Sequence, residues 1–247
     1  MDTLQHERNG PVAWLWLNRP ERRNALDANL LDQLDQAFRA LGTDEGVRAV
    51  VLAARGRAFC AGLDLAWLNA LSADEMAAHV QRVADRYATI EGCPQPLIAA
   101  VQGTAIGGGL MLAMAADFCL AAPDAMFIAP EVELGIFPAL GLVPRLERRV
   151  GLAAARRMLL LGEPLGAAEA LRLGLVHAVV PAGELTAVAE ALAGRLAVLP
   201  APALQRTKAA FAAARRPGYE AWEAEQVRAC WAAPERRAAL DRFLARR

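Results

Sequence analysis

No excess of charge of either sign marks this chain of 247 residues, in which 27 basic residues balance 27 acidic ones. Without a net field it draws in neither nucleic acid nor an anionic membrane, so any anionic ligand must be held by a few local residues. Its four cysteines, Cys60, Cys93, Cys119 and Cys230, form no CxxC and no mixed Cys/His spacing, which leaves no metal-ligand pattern. Cys60 and Cys119 lie in apolar runs, where a reduced, buried thiol is expected. The first ten residues, MDTLQHERNG, carry no apolar core of the kind a secretory signal needs, so the expectation is a soluble cytoplasmic protein. No internal repeat and no disordered tail stands out. Charge is absent between Glu91 and Asp117, a stretch long enough to mimic a membrane span. Pro94, Gln95, Pro96, Gln102 and the turn chemistry at Gly103 interrupt it, which predicts a buried strand, a glycine turn and a buried helix instead.

The remaining pattern alternates strands and helices. VAWLWLN at 12–18 reads as a strand ended by Asn18-Arg19-Pro20, and 25–41 is an amphipathic helix with Leu26, Leu30, Leu34, Phe38 and Leu41 on one face. RAVVLAA at 48–54 has the near-continuous apolar character of a strand buried on both faces. Ser72 and Glu75 form a capping box that opens a helix to about Glu91. A strand at 96–103, the glycine-led helix and a strand at 117–122 follow. This rhythm predicts a mainly parallel sheet with helical crossovers. Beyond Pro144 the chain becomes Ala/Leu/Arg-rich, with helices expected at 151–161, 167–173, 183–198, 201–214, 219–231 and 234–246 and one short strand from Leu175 to Val180.

Two glycine-containing loops each follow a buried strand: RGRAFCAGLDL at 55–65 and GTAIGGG at 103–109. Both emerge at carboxyl ends of strands, where open α/β folds place their ligands. Three glycines at a helix start leave backbone N–H groups uncovered at the positive end of the helix dipole. One N–H from each loop, converging on a single carbonyl oxygen, would make an oxyanion hole. GTAIGGG is neither GxGxxG nor a P-loop, so a phosphate cradle is the weaker alternative. The glycines could also serve only to let a helix pack closely on the sheet.

NRPERRNALD at 18–27, AFCAGLDL at 58–65, GTAIGGG…LAMAAD at 103–117, APEVELGIFPALGLVPRLERRVG at 129–151 and LLGEPLGAAEALRLGLVHAVV at 160–180 resemble, in order and spacing, the crotonase (enoyl-CoA hydratase/isomerase) superfamily. The resemblance implies an α/β crotonase-like ββα spiral core over residues 1–195, with a C-terminal helical oligomerisation or lid region at 196–247. It implies an acyl-CoA thioester substrate, no cofactor beyond the CoA of that substrate, no metal, no nucleic-acid or membrane partner, and a homotrimer or homohexamer. The backbone N–H groups of Leu63 and Gly108 would polarise the thioester carbonyl. Arg23, with Arg22 as an alternate, would approach the CoA phosphates, and Lys208 is a weaker candidate for the same task. Ala25, Ala61, Gly62, Asp64, Leu65, Gly107 and Met111 complete the implied binding set, with Trp67, Leu68 and Met111 as apolar lining.

The acid/base inventory then separates reactions. Hydratases of the family carry two glutamates, and only the second is present, as Glu131; the first position is Met111. Moving a double bond from C3–C4 to C2–C3 needs one base, whereas hydration is served naturally by two carboxylates. Isomerisation therefore leads, hydration follows, and a non-catalytic acyl-CoA binder is a third alternative. The apolar neighbours Phe127, Ile128, Ile136 and Phe137 should raise the Glu131 pKa towards neutrality. Glu133 competes only if the backbone there is extended, and a structural or surface role is preferred for it. Ala139 stands where dienoyl-CoA isomerases and aryl-CoA dehalogenases carry aspartate, which disfavours both. Asp64 reads as a loop-ordering residue, Cys60 has no histidine partner for nucleophilic work, His79 reads as a surface histidine, and His6 and His177 as structural.

Overall fold

The computed structural model of the chain describes residues 2–213 and, beyond them, residues 228, 231, 232, 237, 240, 241, 244 and 245. In chain order the elements are β1 (Leu4–Asn9), β2 (Val12–Leu17), α1 (Ala28–Thr43), β3 (Ala49–Ala54), α2 (Leu65–Leu68), α3 (Ala73–Glu91), β4 (Leu97–Val101), β5 (Thr104–Ile106), α4 (Gly108–Ala115), β6 (Phe118–Ala121), β7 (Met126–Ile128), α5 (Leu142–Leu161), β8 (Leu165–Gly166), α6 (Ala167–Leu173), β9 (Ala178–Val179), α7 (Leu185–Ala197) and α8 (Ala201–Ala213). One sheet has the order β1-β2-β3-β4-β6-β9 and a second the order β5-β7-β8. In the first, every pair but β1/β2 is parallel.

The large sheet is covered on both faces, as a parallel sheet with helical crossovers must be. Along β3, Val50, Leu52 and Ala54 enter the main core with α1 and α3, while Ala49, Val51 and Ala53 join the layer formed with α7. Strands β2 and β4 divide in the same period-two way. On the α7 side, Leu185, Ala189, Ala193 and Leu196 supply the facing stripe, and the Trp14 indole donates to Glu190 at 2.6 Å. Helix α1 is capped by Asp27, whose carboxylate accepts the Leu30 N–H. Helix α3 opens with the Ser72/Glu75 capping box.

The charge-free stretch resolves into β4, β5 and α4. No helix among the described residues is long and apolar enough to cross a membrane. The structure departs from the sequence expectations in three places. Strand β1 and the small second sheet were not foreseen, since β5, β7 and β8 are three residues or fewer and too short for periodicity to register. The strand expected over Leu175–Val180 shrinks to β9, which pairs only with the end of β6. The helix expected from 151 begins at Leu142 and is broken at Gly151 (φ 78°). Pro144 does not prevent this, because it lies in the first turn, where no N–H partner is needed. Helix α7 (Leu185–Ala197) lies within the helix expected at 183–198. The helices expected at 219–231 and 234–246 fall largely outside the described residues. Trp231 is described: its indole donates to the Leu71 carbonyl at 2.7 Å and is 3 % exposed.

The turn before α1 depends on Asn24. It is fully buried with φ 56° and follows Arg23 at φ 51°. Its Oδ1 accepts the Arg19 N–H at 2.8 Å, and its Nδ2 donates to the carbonyls of Arg55 (3.0 Å) and Ala58 (2.9 Å). Asparagine tolerates the left-handed region better than most residues. Asn24→Ala strands three backbone groups and is expected to lower stability by about 2–4 kcal/mol. Urea unfolding checks this: a midpoint unchanged from wild type would remove Asn24 from this role.

Candidate active site

The segment leading out of β3 is held on both sides by backbone. On one side the Ala61 N–H donates to the Arg23 carbonyl (2.9 Å), Leu26 N–H to Gly62 (2.8 Å) and Asp64 N–H to Leu26 (3.0 Å). On the other, Cys60 N–H donates to Thr104 (3.0 Å) and Ile106 N–H to Cys60 (2.9 Å). Leu26 uses the flanks of Leu63 and leaves the Leu63 N–H directed away from it. Gly108 opens α4, so its N–H has no helical acceptor. Among the described residues, neither N–H is taken by another group of the chain. The two lie together, since a Cβ built on Gly108 would fall 3.5 Å from the Leu63 nitrogen.

The glycines permit this approach. A side chain on Gly109 would meet the Cys60 carbonyl oxygen at 2.3 Å. Gly107 has φ 49°, and a Cβ there would lie 2.6 Å from Glu131 Oε1. The Glu131 carboxyl thus sits directly beside the glycine turn that starts α4. Gly62 and Gly107 are buried, Ala25, Ala61, Leu63 and Leu65 half-buried, and Arg23 exposed. Asp64 caps α2 by accepting the Ala66 N–H at 3.1 Å, a loop-ordering contact.

Glu131 begins a 3₁₀ turn (Val132–Leu134) with αR backbone. The residue as a whole is half-buried, but its Oε2 is closed off from solvent and accepts no hydrogen bond. Burial pushes its pKa up to about 7, against a smaller opposing contribution from a hydrogen bond to its own backbone. Because that segment is 3₁₀ and not extended, Glu133 does not share the Glu131 side. It is exposed, and its carboxylate lies against Gly162 at the end of α5.

Three further expectations change. Lys208 lies on α8, where its Nζ is 2.7 Å from Asp117 Oδ2 and 2.8 Å from the Gln95 carbonyl. Those partners stand at the amino ends of β6 and β4, the opposite end of the sheet from both loops, so the chain does not bring Lys208 to the other site residues. Met111, expected as apolar lining of the pocket, is 1 % exposed and enclosed by the core. His79 is no surface residue: it is 4 % exposed, stands edge-on to Trp67 with ring centroids 4.4 Å apart, and its Nε2 has no partner. Burial, reinforced by Arg82 and Arg86, lowers its pKa to about 4, so the ring is neutral at pH 7. His177 is structural, with Nδ1 accepting the Cys119 N–H at 3.0 Å. Cys60 is fully buried, its thiol donates to the Asn24 carbonyl at 3.1 Å, and burial raises its pKa to about 12, which disqualifies it as a nucleophile.

Sequence reasoning passed over Asn24 and Tyr87. Asn24 was visible only as part of a motif. Tyr87 is one of two tyrosines in the chain and follows Val80 and Val83 on the buried face of α3, a signal that a hydroxyl is retained for a partner.

Two unused N–H groups from adjacent loops, at a helix N-terminus and beside a buried carboxyl, form a site suited to binding one oxygen and moving a proton nearby. The profile of the enoyl-CoA hydratase/isomerase family matches residues 7–247. The chain is 39 % identical to a probable enoyl-CoA hydratase of Rhizobium meliloti over 209 residues, covering 85 % of this chain and 80 % of that one. It is 36 % identical to the crotonyl-CoA hydratase of Syntrophomonas wolfei, over 98 % of this chain and 94 % of the relative. Among solved structures, an enoyl-CoA hydratase/isomerase from Xanthobacter autotrophicus matches with TM-score 0.89 at 30 % identity, covering 97 % of this chain and 91 % of that one. A monofunctional enoyl-CoA isomerase from M. smegmatis matches with TM-score 0.74 at 33 % identity, covering 86 % and 93 %. The chain belongs to the enoyl-CoA hydratase/isomerase family and has the crotonase fold.

The raised Glu131 pKa has a calculable effect on stability. The folded state holds this proton more tightly than the unfolded state, so the contribution is complete below the ordinary value of 4.5 and is lost as pH rises to about 7. Glu131→Gln, which imitates the protonated carboxyl, should match wild type near pH 4 and exceed it at pH 8 by up to about 3 kcal/mol. Urea midpoints measured at both pH values read this, and a difference independent of pH would contradict it.

Proposed function

We propose that the protein is an acyl-CoA enzyme in which the Leu63 and Gly108 N–H groups bind the thioester carbonyl and Glu131 is the single acid/base, moving a double bond from C3–C4 to C2–C3. The observation that carries this reading is the Glu131 carboxyl lying against Gly107, beside the two free N–H groups. An oxygen held there gains charge as the C2 proton leaves, and each N–H donor stabilises that charge by roughly 3–4 kcal/mol. Glu131 takes the C2 proton and returns it to C4, and a pKa near 7 lets one carboxyl act in both directions at neutral pH. Met111 occupies the place of the first hydratase carboxylate, Asp64 caps α2, and Glu133 is exposed beside Gly162. Arg23, with Arg22 as the alternate, would meet the CoA phosphates, and the exposure of both side chains supports that reading. Assembly as a trimer or hexamer is supported by exposed apolar side chains such as Leu160 and Leu161, 63 % and 61 % exposed.

Hydration of 2-enoyl-CoA is the second reading, favoured by the hydratase names of the relatives. A non-catalytic binder has no use for a buried carboxyl beside the carbonyl site.

Incubation with 2-enoyl-, 3-enoyl- and 3-hydroxyacyl-CoA followed by chromatography separates the three readings, and interconversion of the two enoyl-CoAs is the expected result. Glu131→Gln should reduce turnover at least about 10³-fold with CoA binding nearly intact; retained turnover would refute the assignment. Met111→Glu should raise the ratio of hydrated to isomerised product, and an unchanged ratio would count against the two-carboxylate argument.

A further inference from the structure

Tyr87 has no part in the chemistry described above, yet it touches the centre of the site. It lies on the buried face of α3, 1 % exposed, and its hydroxyl donates to the Gly108 carbonyl at 2.6 Å. The same oxygen is 3.1 Å from where a Cβ on Gly108 would be, in company with Leu26 Cδ1 at 3.3 Å and the Leu63 nitrogen at 3.5 Å. The phenol therefore fills the side of Gly108 that has no side chain of its own, next to the Leu63 N–H.

The glycine turn needs such support. Consecutive glycines have more backbone freedom than any other sequence, and the first turn of a helix is its least constrained part. At Gly107 the turn is tied by its N–H to the Ile128 carbonyl and by its carbonyl to the Met111 N–H, each at 2.9 Å. Gly109 is pressed against Cys60. Between them, Gly108 is held from the side by Tyr87. Helix α3 is itself anchored one turn later, where Glu91 pairs in two-pronged fashion with Arg145 at 2.9 and 3.0 Å.

We propose that Tyr87 is a positioning residue for the thioester site, its hydroxyl holding the Gly108 turn at the spacing from Leu63 that lets both N–H groups meet one oxygen. The proposal rests on the acyl-CoA reading of that site. Hydrogen bonds to a developing oxyanion depend steeply on angle and distance, so a small relaxation of the turn weakens the transition state more than ground-state binding.

Tyr87→Phe removes one oxygen and keeps the ring. The expected result is a fall in kcat of about 10- to 100-fold with KM changed by less than about threefold. The infrared band of a 2-enoyl-CoA labelled with ¹³C at the thioester carbonyl, red-shifted on binding wild type, should return towards its position in water. A kcat within about twofold of wild type, or a band as red-shifted as in wild type, overturns the proposal, because a merely structural tyrosine would lower Tm and leave that band in place. A wild-type protein that binds the thioester with no red shift would fail differently: the thioester site itself would fall, and the role of Tyr87 with it. Should the phenylalanine variant not fold, fluorotyrosine incorporated at position 87 in a Tyr219→Phe background carries the test. As a stronger donor it should keep both kcat and the red shift, and loss of the shift overturns the proposal.

Discussion

Residues 60–64 and 104–108 run side by side and pair at Cys60 and Ala105. Residues 23–26 tie down the far side of the first segment, and Ile128 the start of the turn in the second. Beyond Ala105 the pairing stops, because Gly62 turns with φ 85° and the other segment enters α4, although the two stay in contact. A parallel ladder interrupted in this way leaves N–H groups with no acceptor. Here they are those of Leu63 and Gly108, adjacent and on rigid backbone. Around that break lie the glycines at 107–109, the buried Asn24 behind the loop and the Tyr87 hydroxyl on the Gly108 carbonyl. Donors held by backbone need little reorganisation when charge develops in front of them, which is the main source of their strength.

Glu131 adds the second half. Its position against Gly107 places a carboxyl at the positive end of a helix, which favours the ionised form, while burial opposes it and prevails. The residue is held in this balance by a 3₁₀ turn that also directs Glu133 away to Gly162. Two carboxylates two residues apart in sequence thus have unrelated surroundings, one closed in and one in solvent. The backbone type of one short segment separates them.

The apolar strands β2, β3 and β4, the capped helix α3 and the start of α4 were legible in the sequence, because each depends on local periodicity or on a cap whose partners are three residues apart. Short β5, β7 and β8 were not, since strands of two or three residues are stabilised by neighbours distant in the chain. Helix α5 was half missed because Pro144 reads as a break and is tolerated in a first turn. At the site, the glycine run, the AFCAGLDL loop and Glu131 were all visible as motifs. The environment of His79 was not: its spacing on α3 fits the buried face, but nothing local says that Trp67 covers it. Lys208 was equally opaque, since its partners Asp117 and Gln95 lie about 90 and 113 positions away.

The sequence by itself determined the family, the two loops, Glu131 and the methionine at position 111, because these are matters of residue type and short spacing. Tertiary structure alone decided which N–H groups remain unpaired, how far burial raises the Glu131 pKa, that His79 is enclosed, that Lys208 is bound at the wrong end of the sheet, and that Tyr87 reaches Gly108. Each of those depends on contacts between segments remote in the chain, where desolvation and hydrogen-bond partners are set by packing.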